Sequence, residues 1–304
     1  MSLEQSLDHV VLNFNKDSLL VLNICLAFIM FGVALKLKLE NFTRLIKTPG
    51  PILVGLFAQF VLLPAFTCLL VIWLSPPAGV ALGMVLVAAC PGGNVSNFFS
   101  MRAQGNVELS VSITAISTVL CVFMTPFNLA FWSSFYPPAV AALQDVDLNL
   151  FHLILTITWV LLIPMFIGML LSRKNPKLSD KIGPPIRKFS VVIFGLFIVV
   201  ALAANIEHFL QHIHRVIFIV ALHNGIALTT GYFMAGSVRL PLADRRSISI
   251  ETGIQNSGLG LVLIFDFFEG LGGMAIVAAW WGVWHLVSGL LLSFYWSRKK
   301  LVCT

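Results

Sequence analysis

Apolar residues run along this chain in stretches of about 20, the length at which a helix crosses the hydrocarbon of a bilayer. Such stretches cover residues 18–35, 50–74, 78–101, 107–132, 150–171, 189–206, 213–236, 247–268 and 273–296. Short polar runs interrupt two of them. The third carries Pro91-Gly92-Gly93-Asn94-Val95-Ser96-Asn97, and the eighth carries Glu251-Thr252-Gly253-Ile254-Gln255-Asn256-Ser257-Gly258. Lipid offers backbone N–H and C=O groups no partners, so unwound chain is tolerated at membrane depth only where protein buries it or it lines a cavity. The pattern predicts an all-α polytopic membrane protein of about nine transmembrane helices, two of them broken and crossing near the midplane.

The two breaks lie five helices apart. An odd separation gives opposite orientations in the membrane, which is the arrangement of an inverted-topology repeat. The second and seventh spans then correspond, and each holds an amide among apolar neighbours, Gln59 and Asn224. Nine helices fall one short of two copies of five, so one element is missing, placed ahead of the first helix. The expected division is residues 1–171 as a first repeat plus a linking helix and residues 189–304 as the second, inverted repeat. Between them lies a cytoplasmic linker loop, 172–188, with Pro176, Pro184 and Pro185.

Composition agrees with the pattern. Hydrophobic residues make up 58% and charged residues 11%, with a mean hydropathy of +0.94, whereas soluble domains carry roughly 25% charge. The net charge of +6 reports topology rather than a nucleic-acid partner. With the N-terminus outside and the C-terminus cytoplasmic, the inside segments hold every one of the 19 Lys and Arg except Lys16 and Arg215, as the positive-inside rule expects. A plasma membrane or bacterial inner membrane is the expected location. Glu4 and Asp8 precede the first apolar run, so it does not resemble a cleaved signal peptide. The five cysteines stand singly and read as free thiols. The sequon at Asn41 falls in a loop placed inside, where glycosylation does not occur.

Candidate chemistry gathers at the breaks. Glu251 is a carboxylate in an apolar span with no Lys or Arg at matching depth, so a bound cation is its natural counter-charge; such groups mark ion or substrate paths. Ser110, Thr114, Ser117 and Thr118 share one face of the fourth helix, either as oxygen ligands for a hard cation or as packing hydroxyls. Half-helix N-termini carry partial positive charge, which makes Gly93, Asn94, Val95, Asn256 and Ser257 candidates to meet an anion. His208, His212 and His214 read as a wet interfacial segment, Trp280 and Trp281 as lipid-facing or packing rings, and Asp266 and Glu269 as solvated. No nucleophile–base grouping suggests an enzyme or a resident cofactor.

The two runs, together with Gly105-Asn106-Val107-Glu108-Leu109-Ser110, Trp284-His285 and Ser288-Gly289, resemble the bile acid:sodium symporter family over nearly the whole chain. The resemblance implies a core and a panel domain with two sodium sites between them. Ser96, Asn97, Ser110, Thr114 and Glu251 would form one site. Gln59, Glu251, Thr252, Ile254 and Gln255 would form the other, with Thr252 and Ile254 giving backbone carbonyls. His285 would touch substrate by its place in the motif. Several bacterial members have ten helices and animal members nine. Where bile-acid-binding bacterial members carry Asn after the last-helix histidine, Leu286 stands here. The implied activity is sodium-coupled symport of a small organic anion, a bile acid or a pantoate-like acid, by alternating access. Proton coupling through Glu251 and a channel are the alternatives, and oligomeric state is left open.

Overall fold

The computed structural model describes residues 16–35, 37, 47–144, 149–204 and 206–298, and the side chains of most of residues 190–215 are not among those described. Several residues named or counted above therefore lie outside the described set: Glu4, Asp8, the Asn41 sequon, the inside charges Lys36, Lys38, Arg44, Lys299 and Lys300, and the fifth cysteine, Cys303, with the side chains of Lys16, Arg187, His208, His212, His214 and Arg215. The described residues are helical almost throughout.

In chain order the helices are α1 (Lys16–Ala34), α2 (Pro49–Leu74), α3 (Ala78–Ala89), α4 (Ser96–Arg102), α5 (Val107–Ser133) and α6 (Pro137–Gln144). They continue as α7 (Leu150–Lys174), α8 (Pro176–Ala204), α9 (Ile206–Ser237), α10 (Leu242–Gly253), α11 (Ser257–Phe267) and α12 (Gly272–Ser297). The third apolar span is the pair α3 and α4, and the eighth is α10 and α11. Each pair is parted where glycine and amide residues replace the apolar run. Of these helices, α2, α5, α7, α12 and the Val216–Ser237 part of α9 are long and apolar enough to cross a membrane individually.

Residues 172–188 are not the loop that their prolines suggested. α7 runs to Lys174 and α8 starts at Pro176. Proline's missing N–H costs nothing in a first turn, and Asn175 Oδ1 accepts from Leu178 N at 3.1 Å, satisfying one of the free amides there.

α2 and α7 each contain a π turn, at Ala58–Leu62 and Thr158–Leu162. In both, a proline follows two residues later, Pro64 and Pro164. Proline cannot donate to the carbonyl four residues back and its ring crowds it; a widened turn relieves both faults, with Leu63 N donating to Ala58 O. Gln59 sits inside the first of these turns.

Packing divides the helices into two groups. α1 packs chiefly on α7 and α8, while α3, α5, α9, α10 and α12 pack on one another. α3 is the centre of the larger group: Gly79 through Ala89 are all buried, as expected for a helix apolar on every face. Large apolar side chains also cover the outside, with Trp73 74%, Phe218 70% and Phe233 69% exposed. On a soluble protein so much exposed apolar surface would be a liability; in a bilayer it faces lipid.

Candidate functional site

The two breaks pair through their backbones. Gly93 N donates to Ile254 O at 2.6 Å, and Asn256 N donates to Pro91 O at 2.9 Å, forming an antiparallel bridge between Gly92 and Gln255. The carbonyls that the broken helices leave unmatched also find partners. Thr125 Oγ1 donates to Ala89 O at 2.7 Å, Gln59 Nε2 to Cys90 O at 2.8 Å, and Asn224 Nδ2 to Gly253 O at 2.7 Å. Unwound backbone is thus tolerated because side chains from α2, α5 and α9 satisfy it.

Glu251 lies beside this crossing and is 1% exposed. Ser96 Oγ donates to its Oε1 at 2.5 Å, Ser110 Oγ donates to the same oxygen, and Thr114 Oγ1 donates to Oε2 at 2.9 Å. Asn97 Oδ1 joins them, 2.9 Å from Ser110 Oγ and 3.4 Å from Thr114 Oγ1. All five residues of the first expected site therefore meet. Three helices supply them: α4 gives Ser96 and Asn97, α5 gives Ser110 and Thr114 one turn apart, and α10 gives Glu251. Ser117 and Thr118, on the same face of α5, turn back to Thr114 O instead.

The second expected set is arranged around amides. Gln59 Nε2 donates to Gln255 Oε1 at 2.9 Å, and Gln255 Nε2 returns to Gln59 Oε1 at 3.2 Å and reaches Thr252 O at 2.7 Å. Ile254 O accepts from Gly93 N, and Thr252 Oγ1 bonds Ile248 O within its own helix. Gly92 allows the close approach: a Cβ there would stand 2.9 Å from Glu251 Oε2 and 3.3 Å from Glu251 O.

The six residues offered to an anion are spread over the crossing. Asn94, Val95 and Asn256 retain exposure, while Gly93, Ser257 and His285 are buried. The N–H groups of Gly93, Asn256 and Ser257 are already used, by Ile254 O, Pro91 O and Gln255 O. Asn256 Oδ1 caps α11 by accepting from Leu259 N at 3.1 Å. Asn94 Nδ2 reaches Met30 Sδ on α1 at 3.6 Å, so this residue stands at the seam between the two helix groups. His285 Nδ1 has no hydrogen-bond partner among the described residues.

Other residues follow their sequence reading in part. Arg246 was counted with the inside charges, yet it is 2% exposed, donating from Nη1 to Ala103 O at 2.8 Å with its guanidinium 5.9 Å over the Trp296 ring. Asp266 is half-buried and hydrogen-bonded to Asn23 on α1, while Glu269 is exposed. Trp281 packs against His223 with ring centroids 4.7 Å apart. Cys25, Cys68, Cys90 and Cys121 are free and buried. Residues to which the sequence reading gave no role include Thr125 and the Asn106–Asp244 pair, 2.9 Å apart. Asn106 carries a local signal as well, a capping residue ahead of an apolar run.

Residues 23–212 match the family model described as the Sodium Bile acid symporter family. The chain belongs to that family. Its similarity to named members extends along nearly its whole length. It is 32% identical over 294 residues to the "Uncharacterized sodium-dependent transporter YocS" of Bacillus subtilis, covering 95% of this chain and 88% of that protein. It is 31% identical over 258 residues to the human P3 protein, covering 83% of this chain and 52% of that one. It is 30% identical over 274 residues to the "Probable sodium/metabolite cotransporter BASS1, chloroplastic" of Arabidopsis thaliana, covering 90% and 66%. As a member of the sodium bile acid symporter family, the protein is a membrane transporter and not an enzyme.

Proposed function

We propose that the protein is a sodium-coupled symporter of a small organic anion that works by alternating access. The observation that carries this reading is the oxygen cluster on Glu251. Ser96, Ser110 and Thr114 offer three hydroxyl protons, fewer than the oxygen pairs that lie within hydrogen-bond distance. Ser110, for example, faces Asn97 Oδ1 and Glu251 Oε1 with a single proton to give. Among the described residues, no Lys or Arg is bonded to the carboxylate. Oxygens in excess of protons around a buried negative charge make a setting for a hard cation.

Ser96, Asn97, Ser110, Thr114 and Glu251 would hold one sodium ion as cargo. A second would lie among Gln59, Glu251, Thr252, Ile254 and Gln255, with Glu251 shared. The amide pairing of Gln59 with Gln255 then opens when the ion arrives, turning both Oε1 atoms toward it. The anion would sit at the seam, near Asn94, Val95, Asn256 and Ser257, with His285 behind them. Relatives named as sodium-dependent or sodium/metabolite transporters support the ion and a small-molecule substrate.

The inverted repeat gains support from the capping pattern. Gln59, from the helix before the first break, bonds the carbonyl of Cys90, the cap residue just past α3; Asn224, from the helix before the second, bonds the carbonyl of Gly253, the last residue of α10. The separate packing of α1, α7 and α8 supports a panel that moves against the remaining core. With two cations and a monoanion, one net charge moves inward, contributing about 2.3 kcal/mol per 100 mV. Two tenfold sodium gradients add about 2.7 kcal/mol, enough in total to concentrate substrate by between about three and four decades. Coupling requires that sodium bind better to the substrate-competent state.

The test is uptake of a labelled anion panel, taurocholate and pantoate foremost, into proteoliposomes under an inward sodium gradient, a proton gradient or neither. Accumulation driven by sodium alone is expected. Accumulation driven by protons alone, or equilibration without accumulation, contradicts sodium symport and points to a proton-coupled carrier or a channel respectively.

A further inference from the structure

Asn106 sits in the turn between α4 and α5 and ties that turn to the start of α10. Its backbone N–H donates to Ala243 O at 3.1 Å, and its Nδ2 donates to Asp244 Oδ1 at 2.9 Å. Its backbone carbonyl accepts from Ser247 Oγ at 2.9 Å. Its Oδ1 accepts from Leu109 N at 3.0 Å, capping α5. Asp244 and Ser247 are both buried. Gly105 brings the turn this close, since a Cβ there would lie 3.2 Å from Ser100 O and 3.3 Å from Ala243 O.

Spacing gives this clamp its consequence. Ser110 and Thr114 follow Asn106 at i+4 and i+8 on one face of α5. Glu251 follows Ser247 at i+4 and Asp244 at i+7 on one face of α10. With a rise of 1.5 Å per residue, the clamp lies only about 6 Å along the axes from the level where Ser110 meets Glu251. A slip of one residue would rotate a helix by about 100° and carry the hydroxyls or the carboxylate away from each other. We infer that Asn106, acting with Asp244 and Ser247, is a positioning residue for the oxygen cluster. It sets the register of α5 against α10, and thereby the affinity for sodium, without touching the ion. This rests on the sodium reading of the Glu251 cluster.

The experiment measures the sodium half-saturation of uptake, the substrate KM at saturating sodium and the sodium-induced rise in Tm. The proteins are the parent, N106A, N106D, the double variant N106D/D244N, and S112A, whose hydroxyl bonds only Glu108 O within α5. Partners behind a metal's ligands typically change affinity by 10- to 100-fold when lost, so N106A raises the sodium midpoint by about tenfold or more while KM stays within about twofold. N106D sets two carboxylates face to face and raises the midpoint as well. Adding D244N restores a donor–acceptor pair with the roles exchanged and returns the midpoint toward the parent's, while S112A leaves it unchanged. A parent-like midpoint in N106A, with the sodium response intact in the parent, overturns this inference and leaves the sodium reading standing. The same holds if N106A lowers Tm and maximal rate without moving the midpoint, or if N106D/D244N fails to recover it. A parent with no sodium response overturns both.

Discussion

Replacing Glu251 by Gln keeps the side chain's shape and removes its charge from a position that is 1% exposed. Two terms oppose each other in the absence of sodium. A buried carboxylate without a cationic partner costs several kcal/mol even after relaxation, so its neutralisation is favourable. Against this, the hydroxyls of Ser96, Ser110 and Thr114 lose a charged acceptor, and hydrogen bonds to charged groups contribute about 1.5–3 kcal/mol each. Gln retains one oxygen for two of those donors, and the third hydroxyl can turn to accept from the new amide. The terms therefore offset to within about 2 kcal/mol, and Tm without sodium moves little. The sodium response behaves differently. Binding to one site stabilises the native state by about 2.7 kcal/mol when the ion is at 100 times its Kd, and this increment disappears when the shared carboxylate is gone. The assay is thermal unfolding of the parent and E251Q as sodium chloride replaces choline chloride at constant ionic strength, which holds general screening fixed. A variant whose Tm climbs with sodium as the parent's does would refute the placement of the ion on Glu251.

Three further outcomes follow from the crossing. Gly92→Ala places a Cβ 2.9 Å from Glu251 Oε2; overpacking of this kind costs about 1–3 kcal/mol, and both thermal stability and sodium-dependent uptake should fall. Thr125→Val leaves Ala89 O without its hydroxyl donor, which should lower stability by about 1–3 kcal/mol, read by thermal unfolding, with the sodium midpoint unchanged. Gln59→Leu removes the bonds to Cys90 O and Gln255; if two ions bind, the Hill coefficient of uptake for sodium should fall toward one, and an unaltered coefficient would remove Gln59 from the second site.

The sequence made the breaks visible because hydrocarbon forbids what they contain. Glycines and amides inside apolar spans can persist only where protein satisfies them, and Gly93, Ile254, Asn256 and Pro91 do so through their backbones. Gln59 and Asn224 stood out for the same reason, although only the folded chain reveals that each bonds a carbonyl at the C-terminal end of a broken helix. Meetings between distant helices were less legible. Thr125 and Asp244 are ordinary in their local sequence, and their partners lie 36 and 138 residues away. Arg246 fits the positive-inside count as well as any exposed arginine, yet folding buries it under Trp296, because a helix end can close over a charge as readily as expose it. Of the prolines of 172–188, Pro176 misled for a local reason, since it begins a helix, where proline is well accommodated, while Pro184 and Pro185 lie inside α8.

In the proposed symport, anion and sodium move together. It is tested most directly by measuring labelled sodium and labelled anion influx in the same proteoliposomes, with the membrane potential clamped by potassium and valinomycin. Under symport the transported anion draws in sodium at a ratio near two, each flux stops when the other ion is withheld, and E251Q abolishes both. Anion influx that proceeds at full rate with no accompanying sodium would contradict it.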